Sequence, residues 1–269
     1  MANYVDSTVF INGSKRAIVD FLNKGLKNNK LSLRVSIRMP GEQIASLLAD
    51  LDREHCLATF SFLPHPKTFD HWDTTNKMLD FAYWCKKNGL TDDHTSEDAY
   101  RKYVRGYRRA VAYQKKKYGL VGGYEWNVKH HGTKWAAFER WKCLKDEDGI
   151  LCLTAEVESP WSPPITFFEY MNALDEITVY AYGREYFYYG YKYNGRTGES
   201  VDVEIKESDS RYQTSLQEYA AEKGVDLNSY EAQHGCIPDF YPEEVAGRLL
   251  EEYLDQYKAE IYSELSGNI

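Results

Sequence analysis

A run of basic residues between positions 101 and 118 is the strongest chemical signal in this sequence. The run holds eight bases and no acid, with four tyrosines among them. Lysine and arginine attract phosphate groups by charge, and tyrosine rings can stack on exposed nucleic-acid bases. The segment therefore predicts a surface for a partner or for nucleic acid, made of Arg101, Lys102, Arg105, Arg108, Arg109, Lys115, Lys116 and Lys117.

A helix is predicted to present these bases. Thr95-Ser96-Glu97-Asp98 resembles a capping box, and Gly119 is a typical stop signal for the end of a helix. At helical spacing one face carries Tyr100, Tyr103, Val104, Tyr107 and Val111. That face is expected to be buried, with the bases on the opposite, solvated face. Three alternatives stay open: the bases are merely solvated, they contact an acidic segment of the same chain, or they bind nucleic acid or another anionic partner.

Two tryptophan motifs form a second candidate site. Gly132-Thr133-Lys134-Trp135 and Trp161-Ser162-Pro163-Pro164 each join an indole to residues that redirect the backbone. We expect the two motifs to be neighbours in one sheet. Lys134, Trp135 and Trp161 could wall a pocket that stacks a ring, or the indoles could form a structural pair in the core. The second interpretation is favoured, because the two prolines would fix the position of Trp161.

The histidines do not predict a metal site. His130 and His131 are expected at a strand end, where adjacent side chains point to opposite faces and cannot easily share a metal ion. His65 and His71 lie in a loop with acidic residues, Asp70 and Asp73, but without the ligand spacing of known zinc sites. No metal and no cofactor are predicted.

No catalytic residues are predicted either. The sequence has no Gly-x-Ser-x-Gly motif and no glycine-rich loop ending in Lys-Ser or Lys-Thr. Cys143 and Cys152 fall in predicted strands and are interpreted as core residues. Glu156 and Glu158 share one strand face and are interpreted as solvated acids. The sequence leaves enzymatic activity open but favours a protein without it.

Charge and cysteine usage restrict the cellular context. The chain has 269 residues and a net charge of −8, and the segment from Glu207 to the end carries 14 acids and 4 bases. Five scattered cysteines without a C-x-x-C pair are typical of reduced thiols, which predicts a cytoplasmic location. No apolar run approaches the roughly 20 residues needed to cross a bilayer, and the first residues do not read as a signal peptide. No membrane partner is therefore expected, and no oligomeric state is predicted.

Hydrophobic periodicity predicts the elements that position these residues. Strands are expected at 7–13, 31–37, 124–130, 135–142, 149–157, 177–181 and 186–193, and helices at 14–26, 43–51, 78–87, 95–119 and 165–174. Asn194-Gly195 is a strong hairpin signal, and the pattern is helical after Lys206. The order predicts an α+β protein with a ferredoxin-like, split βαβ core. The core would comprise 1–40 and 120–205, with a helical insertion at 41–119 and an acidic helical extension at 206–269.

Several of these segments resemble one known family. They are the opening Met1-Ala2-Asn3, the strand into Gly13, Met39-Pro40, the two tryptophan motifs, and Tyr193-Asn194-Gly195. Together they are similar to proteins with the YubB-type ferredoxin-like domain, which are found on phages and plasmids. The resemblance covers about 1–40 and 120–200.

The resemblance implies a fold and a mobile-element origin, and it implies no reaction. Family members often have Asn-Trp before Gly-Thr-Lys-Trp and Asn-Ala after it, whereas this chain has His130-His131 and Ala136-Ala137. The insertion and the acidic extension have no counterpart in the family.

Three functional hypotheses follow. The leading one is a non-catalytic phage or plasmid accessory protein that binds a host protein, with inhibition of a defence system as its effect. Its support is the family resemblance and the 23 tyrosines, since tyrosine is enriched at binding surfaces. The second hypothesis is a nucleic-acid-binding protein that uses the basic helix at 101–118. The third is an enzyme that acts on a nucleotide-like ligand.

Overall fold

A seven-stranded antiparallel sheet forms the centre of an α+β fold, with the strand order β2-β3-β4-β1-β5-β6-β7. The computed structural model describes residues 4–51, 56–66, 69, 81, 84–86, 88–89, 97–185, 187–238 and 241–266. The strands are β1 Tyr4–Ser14, β2 Leu57–Ala58, β3 Ala137–Glu147, β4 Ile150–Pro160, β5 Ile177–Arg184, β6 Tyr189–Asn194 and β7 Glu199–Glu204. The principal helices are α1 Lys15–Asn28, α2 Gly41–Ala49, α3 Thr59–Phe62, α4 Glu97–Tyr118, α5 Gly122–His131, α6 Ile165–Asn172, α7 Ser210–Glu222, α8 Leu227–His234 and α9 Tyr241–Ser266.

The middle strand β1 separates two apolar layers. Successive side chains of a strand point to opposite faces, so Val9 and Ile11 enter one layer while Phe10 enters the other. We call the Val9 side the inner face and the Phe10 side the outer face. The predicted strand at 7–13 is confirmed, and Ser14 ends it by accepting a hydrogen bond from the backbone N–H of Ala17 at 3.2 Å, which caps α1.

The inner face carries the main core. Helices α1 and α6 pack against the sheet there, each following the strand that precedes it in the chain. Ile44 and Leu48 of α2 and Phe62 of α3 join the same apolar cluster. The segment predicted as a helical insertion therefore shares the core of the sheet. It is not wholly helical, because Leu57 and Ala58 pair with β3 as an edge strand.

The predicted strand at 31–37 is wrong: the chain between α1 and α2 has no regular secondary structure. Asn23 supplies the reason, because its side chain satisfies both backbone groups of Val35, donating to the carbonyl and accepting from the N–H at 2.8 Å each. Val35 is buried, but Leu33 and Ile37 are exposed. Leu31 also packs partly against the core, so the alternating pattern marks two contacts of a loop with the core and not a strand.

The predicted strand at 124–130 is also wrong, since these residues belong to α5. Glu125 accepts a hydrogen bond from the backbone N–H of Val121 at 2.7 Å, which stabilises the first turn. Gly132 ends the helix with a φ of 79°, a left-handed conformation that favours glycine. The residues at the two ends of α5 therefore indicate its helical structure correctly, whereas the apolar alternation inside it does not.

The remaining predicted elements of the core are confirmed within one to three residues at most ends. They include the strands that became β3, β4, β5 and β6, the helix that became α6, and the hairpin after Asn194, which joins β6 to β7. For the helix predicted at 78–87, Phe81 and residues 84–86 are helical and the other positions lie outside the described residues. The helix α2 confirms the prediction at 43–51.

The acidic extension forms helices α7, α8 and α9, as predicted. The apolar stripe of α9 is buried at Val245, Leu249, Leu250, Leu254 and Tyr257, while Tyr253 is half-buried. Tyr257 and Ile261 pack on Phe10 and Tyr180, which places α9 on the outer face of the sheet. Among the described residues, no helix is both long enough and apolar enough to span a membrane.

Candidate functional site

The basic segment lies on the long helix α4, and all eight of its predicted binding residues are exposed. The helix begins with Glu97 and Asp98, which pair with Arg101 and Lys102 one turn later. It is buried along the side that carries Ala99, Tyr103 and Gln114. The bases therefore line the solvent side of the helix, as the periodicity predicted.

The apolar face of α4 is less buried than predicted. Tyr103 is buried, and Val104, Tyr107 and Val111 are half-buried. Tyr100, however, is 54% exposed, although its ring lies perpendicular to that of Phe81 at a centroid distance of 5.3 Å. An aromatic ring therefore lies in solvent at the border of the basic face.

The acidic extension does not neutralise this face. As far as the structure describes residues 97–118 and 207–266, no ion pair joins the two segments. The extension instead pairs with its own bases, Arg211 with Glu252 and Arg248 with Glu222. Helix α9 packs on the outer face of the sheet, whereas α5, which follows α4 in the chain, packs against α6 on the inner face.

A groove of about 530 Å³ runs along the exposed side of α4. Its apolar part is formed by Tyr100, Val104 and Ala112. The other lining residues are Arg101, Arg105, Arg108 and Arg109. The groove thus combines a narrow apolar floor with a rim of four guanidinium groups.

The second candidate site is built where α5 meets the end of β4. An added Cβ at Gly132 would lie 3.2 Å from the backbone nitrogens of Ile165 and Thr166, which is a tight contact, so glycine favours this close approach. Ser162 donates a hydrogen bond from its hydroxyl to the carbonyl of Gly132 at 2.8 Å, and Thr133 donates to the carbonyl of Pro160 at 2.8 Å. The structure therefore brings the two tryptophan motifs together.

Trp161 occupies a strained turn at this junction. Its φ is 66°, and the N–H of Ser162 donates to the carbonyl of Pro160 at 2.9 Å. This is a γ-turn with positive φ, the rarer and more strained of the two kinds. The indole is 48% exposed. A bulky residue in this conformation is an outlier, and such strain concentrates at functional sites.

Lysine and aromatic side chains surround the exposed indole. The Nζ of Lys134 lies 5.7 Å from the centroid of the Trp161 ring, and Tyr124 meets the same ring edge-on at 6.4 Å. Trp135 is half-buried and lies 6.1 Å from the ring of Tyr4. The prediction that the two indoles form a structural pair in the core is therefore wrong. We name the set the indole platform: Tyr4, Tyr124, Lys134, Trp135 and Trp161.

His131 has a structural role in α5. It is buried, its Nε2 lies 2.9 Å from the carbonyl of Leu63, and its Nδ1 lies 3.2 Å from the hydroxyl of Thr59. A carbonyl only accepts, so Nε2 carries the proton and Nδ1 accepts from Thr59. Burial lowers the pKa of His131 to about 4, with smaller contributions from His130 and His65. The imidazole is thus neutral and both of its nitrogens are engaged.

The other candidate ligands and nucleophiles that the structure describes show no activation. Among the residues that the structure describes, no three His, Cys, Asp or Glu side chains are grouped to hold a metal ion. His71, Asp70 and Asp73, and the capping residues Thr95 and Ser96, lie outside the described residues. Burial raises the pKa of the Cys152 thiol to about 12 and that of Cys143 above its usual value. A raised pKa disfavours the nucleophilic thiolate.

Sequence reasoning missed a cleft of about 430 Å³ on the outer face, beside α9. Glu156 and Glu158 line it, as members of one strand face. The pairing of β1 with β4 sets Asp6 opposite Glu158, and Arg140 forms an ion pair with Glu156 at 2.6 Å. The strands that meet here are distant in the sequence, so no local pattern signals the cleft.

Comparison with known proteins adds little. No family model matches the chain, and no curated protein matches it at a significant level. The crystal structure of protein api92 from Yersinia pseudotuberculosis, assigned to family DUF1281, is 11% identical to this chain. The similarity covers 77% of this chain and 99% of that chain, with a TM-score of 0.31. A likeness at this level carries no conclusion about the fold or function of this chain.

Proposed function

We propose that this protein is a non-catalytic binding protein and that the indole platform is its contact surface for a protein partner. The observation that carries the proposal is Trp161, an exposed indole held in a strained turn. Tryptophan and tyrosine are enriched among the residues that dominate binding energy. Folding alone would favour a relaxed backbone and a buried ring at position 161. A role in binding would account for both the strained turn and the exposed indole.

The surroundings of Trp161 support the same proposal. Hydrogen bonds from Ser162 and Thr133 fix the backbone on both sides of the indole, so little conformational entropy would be lost when a partner binds. Lys134 adds a positive charge beside the ring. An apolar centre with a polar edge is the usual composition of a protein interface.

Two of the groups that could serve catalysis are engaged or not activated in the fold. His131 is neutral and hydrogen-bonded through both nitrogens, and the buried Cys152 has a raised pKa. These features favour binding over catalysis. The hypothesis of an enzyme acting on a nucleotide-like ligand stays a prediction.

The biological setting belongs to the proposal as well. A phage or plasmid accessory protein that acts on a host protein in the host cytoplasm, and so inhibits a defence system, is supported by the sequence resemblance alone. A ferredoxin-like core of β1, α1, β3, β4, α6 and β5 is supported by the strand order β3-β4-β1-β5 and by the position of both helices on the inner face.

Affinity capture with matched variants tests the platform. Immobilised wild-type protein, Trp161→Ala and Tyr189→Ala would be exposed to host lysate; Tyr189 is a matched control because its ring is 50% exposed on β6. We expect a protein that is retained by the wild type and by Tyr189→Ala. Its affinity for Trp161→Ala should be at least about tenfold weaker, since truncation of a dominant interface residue costs about 2 kcal/mol or more. Equal retention by all three, or no retained protein, would contradict the proposal.

The basic face of α4 favours a second candidate function, nucleic-acid binding. Its eight bases are exposed and the acidic extension lies elsewhere.

A further inference from the structure

The bases of α4 form one continuous stripe. At 100° per residue, an arc of about 120° centred opposite the buried Tyr103 holds Arg101, Arg105, Arg108, Arg109, Lys115 and Lys116. From Arg101 to Lys116 the helix rises about 1.5 Å per residue, which gives a stripe of about 22 Å. A stripe of this length can follow several consecutive phosphates of a nucleic-acid backbone.

Most of this charge has no ion-pair partner among the residues that the structure describes. Arg101 and Lys102 have ion-pair partners in the first turn of α4. Lys117 donates to the hydroxyl of Tyr113 at 3.0 Å, which raises the pKa of Lys117 and keeps it charged. The remaining five bases form no ion pair with any residue that the structure describes; they are Arg105, Arg108, Arg109, Lys115 and Lys116.

We propose that the basic face of α4 binds single-stranded nucleic acid, with phosphates on the basic stripe and bases on the apolar floor of the groove. This inference rests on the second candidate function, nucleic-acid binding, and is independent of the indole platform, because it concerns another surface and another class of partner. Its basis is charge complementarity together with the composition of the groove.

The apolar floor decides between single strands and duplexes. The outside of a duplex presents phosphates and sugars, and its bases are stacked inside, so a duplex would leave Tyr100 and Val104 without a matching contact. An unstacked base can lie on the exposed Tyr100 ring, and base–aromatic stacking contributes to most single-strand sites. Four of the rim residues are arginines, whose planar guanidinium groups bind phosphate and also stack on bases.

The net charge of −8 does not oppose binding at this face. Much of the negative charge lies in residues 207–269, whose helices α7 and α9 pack together on the outer side of the sheet. At physiological ionic strength, exposed charges are screened beyond about 8 Å. The phosphates of a strand on α4 would therefore respond chiefly to the unpaired bases of the stripe.

Fluorescence anisotropy with purified protein tests the inference. The probes are labelled single-stranded DNA and RNA of about 20 nucleotides and a duplex of the same length, at about 50 to 200 mM salt. We expect tighter binding to the single strands than to the duplex. If all five unpaired bases contact phosphates, a plot of log K against log salt concentration should have a slope of about −3.5 for single strands.

Three variants separate the contributions. The double variant Arg105→Glu with Arg109→Glu should weaken binding at least about tenfold. The slope of log K against log salt concentration should become less negative by about 1.4, because two phosphate contacts are lost. Tyr100→Ala should weaken single-strand binding about fivefold or more with an unchanged salt slope, since stacking releases no counterions. Lys206→Glu with Lys223→Glu makes the same change in net charge on two exposed residues outside α4 and should leave binding unchanged.

Each contrary result would overturn the inference. No binding at about 50 mM salt would reject nucleic acid as the ligand, and equal losses in the α4 and control pairs would reject the site. Equal or tighter binding to the duplex, or an unchanged affinity of Tyr100→Ala, would reject the single-strand assignment. If charge reversal on α4 abolished capture of a host protein but left oligonucleotide binding intact, α4 would be a protein contact. Circular dichroism of each variant would show whether it is folded.

Discussion

At the scale of single residues, two aromatic side chains that the sequence pattern predicts to be buried are exposed to solvent. Trp161 has a positive φ and sits beside Lys134, and Tyr100 borders the arginine rim of α4. Sequence patterns located both residues and assigned both to buried positions. The error has one cause: periodicity reports which residues could share an apolar face, and it does not report whether another element covers that face.

The strain at Trp161 leads to a stability prediction. A non-glycine residue in the left-handed region costs about 1–2 kcal/mol, and glycine does not bear this cost. We therefore expect Trp161→Gly to have a free energy of unfolding about 1 kcal/mol higher than Trp161→Ala. Urea unfolding monitored by circular dichroism measures the difference.

Val128, an exposed residue inside α5, provides the control for this comparison. There the order should reverse, with Val128→Gly about 1 kcal/mol less stable than Val128→Ala, because glycine is a poor helix former. If alanine were the more stable replacement at both positions, the γ-turn at Trp161 would carry no strain.

At the scale of elements, helix α5 is the connection on which both candidate sites depend. Its first residues contact α4, since the backbone N–H of Gly122 donates to the side chain of Gln114 at 3.2 Å. Its last residues form the turn that carries Lys134 and Trp135. His131 hydrogen-bonds to the side chain of Thr59 in α3 and to the backbone carbonyl of Leu63, and so connects α5 to that segment. The protonation state of His131 should therefore affect the stability of the contact between α5 and α3.

The buried His131 predicts a dependence of stability on pH. Its folded-state pKa of about 4 lies below the ordinary value of 6.5. The unfolded chain therefore binds the proton more readily, and the free energy of unfolding should fall as the pH drops from about 6.5 toward about 4. Between about pH 6.5 and pH 5 the loss attributable to this residue should approach 2 kcal/mol.

Urea unfolding at several pH values, for the wild type and His131→Gln, measures this loss. Glutamine is polar and does not titrate, so the variant should lose less stability than the wild type over this range, whatever its stability at neutral pH. Parallel pH profiles for the two proteins would show that His131 can accept its proton in the folded state.

At the scale of the whole molecule, the sheet shares its core with most of the described elements. The inner face takes α1, α2, α3 and α6, and the outer face takes α9. Tyr257 of α9 also donates from its hydroxyl to the carbonyl of Tyr193 at 2.8 Å in a buried position. The acidic extension is thus packed into the fold, and its removal would uncover Phe10 and Tyr180.

Cooperative unfolding is the expected consequence of this packing. Ile261→Ala should lower the free energy of unfolding by about 2–4 kcal/mol, because Ile261 is buried against the outer face of the sheet. All six tryptophans precede the extension, so their fluorescence reports on the remainder of the chain. We expect fluorescence and circular dichroism to show the same shift in midpoint.

Glu260→Ala is the control, because Glu260 lies on the exposed side of the same helix and should change little. Loss of helical signal in Ile261→Ala at a denaturant concentration that leaves the fluorescence unchanged would show that the extension unfolds separately.

The sequence by itself determined the elements whose signals are local. The strand β1, the helices α4 and α6, the hairpin after Asn194 and the apolar stripe of α9 follow from periodicity and from residues that cap or turn the chain. The same local signals located the basic residues of α4 and the two tryptophan motifs. Local signals gave the wrong element at 31–37, where the side chain of Asn23 makes the backbone hydrogen bonds that a neighbouring strand would make. They also gave the wrong element at 124–130, where an apolar alternation lies within a capped helix.

Only the tertiary structure decided which surfaces are free. That the acidic extension covers the outer face instead of α4, that Trp161 is exposed, and that Asp6 lies opposite Glu158 all depend on contacts between segments distant in the chain. A local pattern records the preference of a segment for an apolar or polar environment. Burial depends instead on which elements occupy the space next to that segment, and that is a property of the packed molecule.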